Sequence, residues 1–346
     1  MHSDFKSISQ PFSNTISIGG VKYLYFGGTA YLGMPQNPEF TALYIEGIEK
    51  FGLNNGTSRT NNIQLGIYDE AEKIAAERFG SENALITSSG YLAAQLTVNG
   101  LYGFGKVVYV PSSHPALWLE NQYTNAKSFS EWKSEIVTQI NSTEEQNWVL
   151  ISNSMNNLFP EIYDFNFLAK VYNHKNIILI VDDSHGIGVN NGGMGCFIKL
   201  PKKENIECVV VASMAKALGL DAGLVLGSAK IIGKLKQTNT FIGASPPAAA
   251  ALYAFIKGEE IYKKAWLKLQ EHTNFLASKL TSHWKFEPGF PVFYLNNPTL
   301  AEMLLTHKIL ISSFPYPNAD SEPINRIVLS SWHTIEDIEH LVCALK

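Results

Sequence analysis

Short runs of apolar, largely β-branched residues recur through the middle of the chain, at 84–86, 107–110, 148–152, 177–181 and 209–212. A run that is apolar at every position has no polar face. Each therefore predicts a strand buried on both sides, as in a mostly parallel sheet covered by helices. Between the runs, helical spacing predicts helices over 68–79, which ends before Gly80, and over 90–101, which opens after the capping residues Ser88 and Ser89. An alanine-rich helix over 248–257 follows Pro246-Pro247, and a longer amphipathic pattern covers 261–280. From Phe286 onward the order becomes strand 291–295, helix 299–307, strands 309–313 and 326–330, and helix 334–345. Strands with helices on one face make a compact α+β lobe. The expected fold class is α/β: an N-terminal segment 1–37, a large α/β domain 38–257 and a small C-terminal α+β domain 258–346.

A length of 346 residues suits one large domain and one smaller one. With 27 Lys+Arg against 31 Asp+Glu the formal net charge is -4, and no run of like charge tracks a phosphate backbone or an anionic membrane. Nucleic acid and membrane are therefore not expected partners. Cys196, Cys208 and Cys343 are odd in number and share no metal-ligand spacing, so neither a disulfide framework nor a metal site is expected. Residues 1–20 lack the apolar stretch of a leader, and no segment approaches the ~20 apolar residues of a membrane span. A cytoplasmic location is the expectation.

In open α/β sheets, ligands sit beyond the carboxyl ends of the strands, and four predicted exits carry apt chemistry. The run 177–181 leads into Asp182-Asp183-Ser184-His185-Gly186, and the run 209–212 into Ser213-Met214-Ala215-Lys216. A lysine at a buried strand end is pushed by desolvation toward a neutral, nucleophilic amine, which is what a Schiff-base lysine requires. Pyridoxal 5'-phosphate also needs an acid on its pyridine nitrogen, a place that Asp182 suits, and His185 is placed for the ring hydroxyl. The third exit, Ser89-Gly90-Tyr91, opens a helix whose free amides suit a phosphate, with Ser213 adding a hydroxyl. The fourth, Pro111-Ser112-Ser113-His114, offers an imidazole to stack on the ring. Singly, each has an ordinary alternative: a capped loop, a core histidine, a solvated lysine. Their joint fall at strand exits favours one cofactor site. Dinucleotide, Walker and Gly-x-Ser-x-Gly patterns are missing.

From about Tyr31 to the C-terminus these residues resemble the α-oxoamine synthase family of fold-type I pyridoxal-phosphate enzymes. Tyr31-Leu32-Gly33 is similar to the family's Asn-Tyr-Leu-Gly, Ser89-Gly90-Tyr91 to its Ser-Gly-Phe, 182–186 to its Asp-Asp/Glu-Ala-His-Gly, and 213–216 to its Thr/Ser-x-x-Lys. The resemblance implies a seven-stranded-type sheet of the aspartate-aminotransferase fold and a homodimer. It implies His114 as the ring-stacking histidine, and Arg326, in a segment similar to the family's closing strand, as the grip on a substrate carboxylate. Asn157 is a further cofactor-side candidate. Ala30 stands where the family has asparagine, and Ser152-Asn153 where it has Thr-Glu. The segment before Pro246-Pro247 lacks the hydroxyls usually lent across the dimer.

The activity implied is condensation of a small α-amino acid with an acyl-CoA thioester, with decarboxylation, to give an α-amino ketone. An aminotransferase, or an aldolase or lyase, using the same Asp182, His185 and Lys216 is the alternative, and a catalytically silent scaffold is a third, opposed by Lys216 itself.

Overall fold

Four of the apolar runs become adjacent parallel strands in a six-stranded sheet, with the order Asn83–Thr87, Gly223–Gly227, Ile206–Ser213, Asn176–Asp182, Asn147–Asn153 and Lys106–Tyr109. The computed structural model describes residues 3–119, 127–156, 158–315 and 320–346. Only Gly223–Gly227 runs against its neighbours, so the sheet is mostly parallel, and six of the seven strands expected are present among the described residues. The central strands are buried along nearly their whole length, as their unbroken apolar sequences require. Helices cover both faces, among them Ile67–Phe79, Gly90–Leu101 and Ala249–Lys257.

Register decides where the chemistry falls. Asn153 lies opposite Asp182 and Asp182 opposite Val211, so three parallel strands end side by side. The antiparallel strand begins at the same edge, with Gly223 opposite both Ser213 and Thr87. This strand is not among the runs expected from sequence: its three apolar residues lie between glycines, which weaken strand propensity.

The second sheet has the order Thr15–Ile18, Val21–Phe26, Ile309–Pro315, Pro323–Val328 and Val292–Tyr294. Its first two strands lie within 1–37, the span set apart from sequence. They join the C-terminal lobe through a parallel pairing of Val21–Phe26 with Ile309–Pro315. The closing strand spans Pro323–Val328 rather than 326–330, and Ser330 and Ser331 leave it to bind residues 30–32: Ser330 Oγ donates to the Ala30 carbonyl, the Ser331 amide to Tyr31 O at 2.9 Å, and Ser331 Oγ to Leu32 O at 2.7 Å. Among the described residues no helix is long and apolar enough to cross a membrane.

Glu72, buried at 4% exposure, ties helix Ile67–Phe79 to the sheet. Its Oε1 accepts from Arg59 at 2.8 Å and from the Ile86 amide at 3.0 Å, and its Oε2 accepts from Lys236 at 2.6 Å. Glu72→Ala leaves a guanidinium only 5% exposed with Asp69 as its remaining carboxylate partner, leaves the buried Ile86 amide without its acceptor, and is expected to cost about 3–5 kcal/mol, read as a lowered midpoint of urea unfolding. Lys236→Ala, at a side chain 36% exposed, should cost about 1 kcal/mol or less.

Candidate active site

Asp182 is the last residue of its strand, and its Oδ1 accepts from the Ser184 amide at 2.8 Å, which fixes the carboxylate's rotation. Asp183 follows on the opposite face, as strand geometry requires. It is buried, its Oδ2 accepts from the Cys196 amide at 2.7 Å, and burial pushes its carboxyl up to about 6. Asp183 therefore serves the loop 186–196, whereas the charge of Asp182 bears on both His114 and Lys216.

Lys216 stands in the turn after strand Ile206–Ser213, with its Nζ 2.8 Å from His185 Nε2. Burial lowers its pKa, Asp182 opposes the shift, and Arg326 adds to it. His185 is held well below its usual range by burial first, then by the charges of Lys216, Arg326 and His114. On its other nitrogen, Nδ1 lies 2.7 Å from the Tyr31 hydroxyl. Burial raises the pKa of Tyr31, which keeps the phenol protonated. A neutral imidazole donates at one nitrogen and accepts at the other, so Tyr31, His185 and Lys216 form one chain of hydrogen bonds. The expected bond from His185 to a ring hydroxyl therefore requires the Lys216 amine to move off Nε2.

Arg326 sits in strand Pro323–Val328, its guanidinium 5.0 Å from the centroid of the Phe314 ring. Burial lowers its pKa and Tyr31 opposes. Its charge reaches Tyr31, His185 and Lys216, so the small lobe contributes a cation to the same site. His114 caps the turn Pro115–Leu117 by accepting the Ala116 amide at Nδ1, 3.2 Å away, and burial pushes its pKa down.

The third exit forms a backbone cradle. Ser89 caps helix Gly90–Leu101, accepting the Leu92 amide on Oγ at 3.1 Å and the Ala93 amide on its carbonyl at 3.0 Å. The amides of Gly90 and Tyr91 are thus the ones left at the helix's positive end for an anion. A Cβ on Gly90 would lie 2.6 Å from Ser213 Cβ, and one on Gly223 would lie 2.0 Å from Ser89 O, so both glycines are required by close approach. This cradle, the buried lysine and the strand-end acid fit pyridoxal phosphate. The Tyr91 side chain is 64% exposed, so what Tyr91 presents at this helix end is its amide. Asn157 lies outside the described residues.

Two residues of the site were not assigned roles from sequence. Tyr31 reaches His185 because residues 30–32 are bound to 330 and 331, a pairing that no local pattern reveals. Asn153 holds the loop before His114.

The sequence pattern of the aminotransferase class I and II family matches residues 22–345, and the chain belongs to that family. Within it the chain is similar to α-oxoamine synthases. The 8-amino-7-oxononanoate synthase of Hahella chejuensis is 24% identical, over 97% of this chain and 89% of that protein. A serine palmitoyltransferase solved with PLP superposes with a TM-score of 0.81 at 18% identity, covering 98% of this chain and 90% of that one. The 8-amino-7-oxononanoate synthase of Francisella tularensis gives 0.69 at 20% identity, covering 93% and 96%.

Three outcomes are expected from the geometry. The reactivity of Lys216 toward an amine-labelling reagent, followed by mass spectrometry, should rise with pH through a midpoint below 10.5, because the neutral amine is the reactive form and burial lowers its pKa. Arg326→Gln should move that midpoint upward, since the guanidinium disfavours the ammonium. Gly90→Ala should weaken pyridoxal phosphate binding about tenfold or more, measured by fluorescence titration, because the new methyl overlaps Ser213.

Proposed function

We propose that the chain is a pyridoxal-phosphate-dependent acyltransferase, similar to 8-amino-7-oxononanoate synthase. It joins a small α-amino acid to an acyl-CoA thioester, releasing CoA and CO2 and giving an α-amino ketone. The observation that carries this reading is the Lys216 amine at 2.8 Å from His185 Nε2, beside Asp182, in a chain whose relatives of near-full coverage bear that synthase name. The aminotransferase and lyase alternatives have no such support among those relatives.

When bound, pyridoxal phosphate supplies an electron sink for the carbanion at the amino acid Cα. Asp182 would hold a proton at the pyridine nitrogen, and the Gly90 and Tyr91 amides with the Ser213 hydroxyl would take the phosphate. His114 would cover one face of the ring. Lys216, whose pKa burial lowers, would tether the cofactor through its amine. Once displaced, that amine would take the Cα proton, with His185 as its hydrogen-bond partner. Arg326 would orient the substrate carboxylate until it leaves as CO2.

The test is release of CoA from an acyl-CoA, followed with a thiol reagent, with glycine, alanine or serine present and absent. Release that requires one amino acid is expected. Conversion of the cofactor to its amine form with no CoA released would replace this reading by a transaminase.

The reading includes a homodimer. It is supported by large apolar side chains left exposed on the cradle's helix and around the segment before Pro246, namely Tyr91, Leu53 and Ile242. Light scattering should return about twice the chain mass of 38.3 kDa. A monomer would exclude it.

A further inference from the structure

Asn153 ends strand Asn147–Asn153 opposite Asp182 and is 2% exposed. Its side chain makes two hydrogen bonds to the loop that carries His114. Oδ1 accepts from the His114 amide at 3.0 Å, and Nδ2 donates to the Ser112 carbonyl at 2.7 Å. Both partners are backbone groups of fixed polarity, so the amide can sit only one way round.

The loop needs such a hold. Ser112 has φ 60°, the left-handed region that a residue with a Cβ seldom adopts, and such a conformation persists only where its surroundings impose it. The turn that follows sets the rotation of the His114 ring, through the Ala116 amide on Nδ1. The position of the His114 main chain is set by Asn153.

We infer that Asn153 is the positioning residue for His114, and that an amide is required there because one side chain must accept from residue 114 and donate to residue 112. An ionised carboxylate can only accept. In its place an oxygen would face the Ser112 carbonyl, and a second buried negative charge would stand beside Asp182. The departure from the Thr-Glu of the α-oxoamine synthases at 152–153 is thus a change in how the stacking histidine is held. The inference rests on the pyridoxal phosphate reading, in which His114 covers the ring.

The experiment compares full-length wild type, Asn153→Asp, Asn153→Ala, His114→Ala and the double variant His114→Ala with Asn153→Asp. Each is titrated with pyridoxal phosphate for its Kd, and the visible circular dichroism of the bound cofactor is recorded. Asn153→Asp, isosteric with asparagine, is expected to weaken binding about tenfold or more and to diminish the dichroic band. In the His114→Ala background the same substitution should have a clearly smaller effect on Kd, because the residue it positions is gone and only the charge beside Asp182 remains. Should Asn153→Asp fail to fold, Asn153→Ala removes both bonds without adding charge, and carries the same comparison with its own double variant. Wild-type affinity and dichroism in the residue-153 variants would overturn the inference, as would an undiminished effect without His114. If wild type itself binds no pyridoxal phosphate, the cofactor reading fails and this inference with it.

Discussion

The hydrogen bond between His185 Nε2 and Lys216 Nζ is the contact on which the site turns. Two basic groups 2.8 Å apart inside a protein cannot both be charged, and burial, Arg326 and His114 all press toward neutrality. The result is an amine biased toward its neutral form at the end of a buried strand. Everything around it limits where that amine can go. Tyr31 holds the far nitrogen of the imidazole, and Asp182 supplies the one nearby negative charge that acts on the lysine.

The large sheet delivers these groups through register, not through any single loop. Parallel strands that end level place Asn153, Asp182 and the 213–216 turn along one edge, and the antiparallel strand brings Gly223 against Ser89 at the same edge. The small lobe closes the site from the other side. Its seam with residues 30–32 places Tyr31 over His185, and its strand Pro323–Val328 supplies Arg326. The Ala30 that replaces the family's asparagine contributes its backbone carbonyl to this seam.

Much of this was legible because unbroken apolar runs mark buried strands and the chemistry follows directly after them. Asp182, His185, Ser213 and Lys216 were found in that way, and helix 90–101 was placed to the residue by its Ser89 cap. The parts that were not legible depend on contacts between distant segments. The Tyr31 hydroxyl meets a residue 154 positions away, and the hairpin Thr15–Phe26 enters the small sheet by pairing with Ile309–Pro315. Gly223–Gly227 was missed because its three apolar residues lie between glycines, which weaken strand propensity. Asn153 looked like a lost glutamate until its two bonds to a left-handed loop were seen.

The most direct test is the visible absorbance spectrum of purified protein supplied with pyridoxal phosphate, wild type beside Lys216→Ala, as glycine, alanine and serine are added in turn. A band formed by wild type, missing from Lys216→Ala and shifted by one of the amino acids, is the predicted result. The same band in both proteins, or in neither, would contradict the assignment of Lys216 and the account built on it.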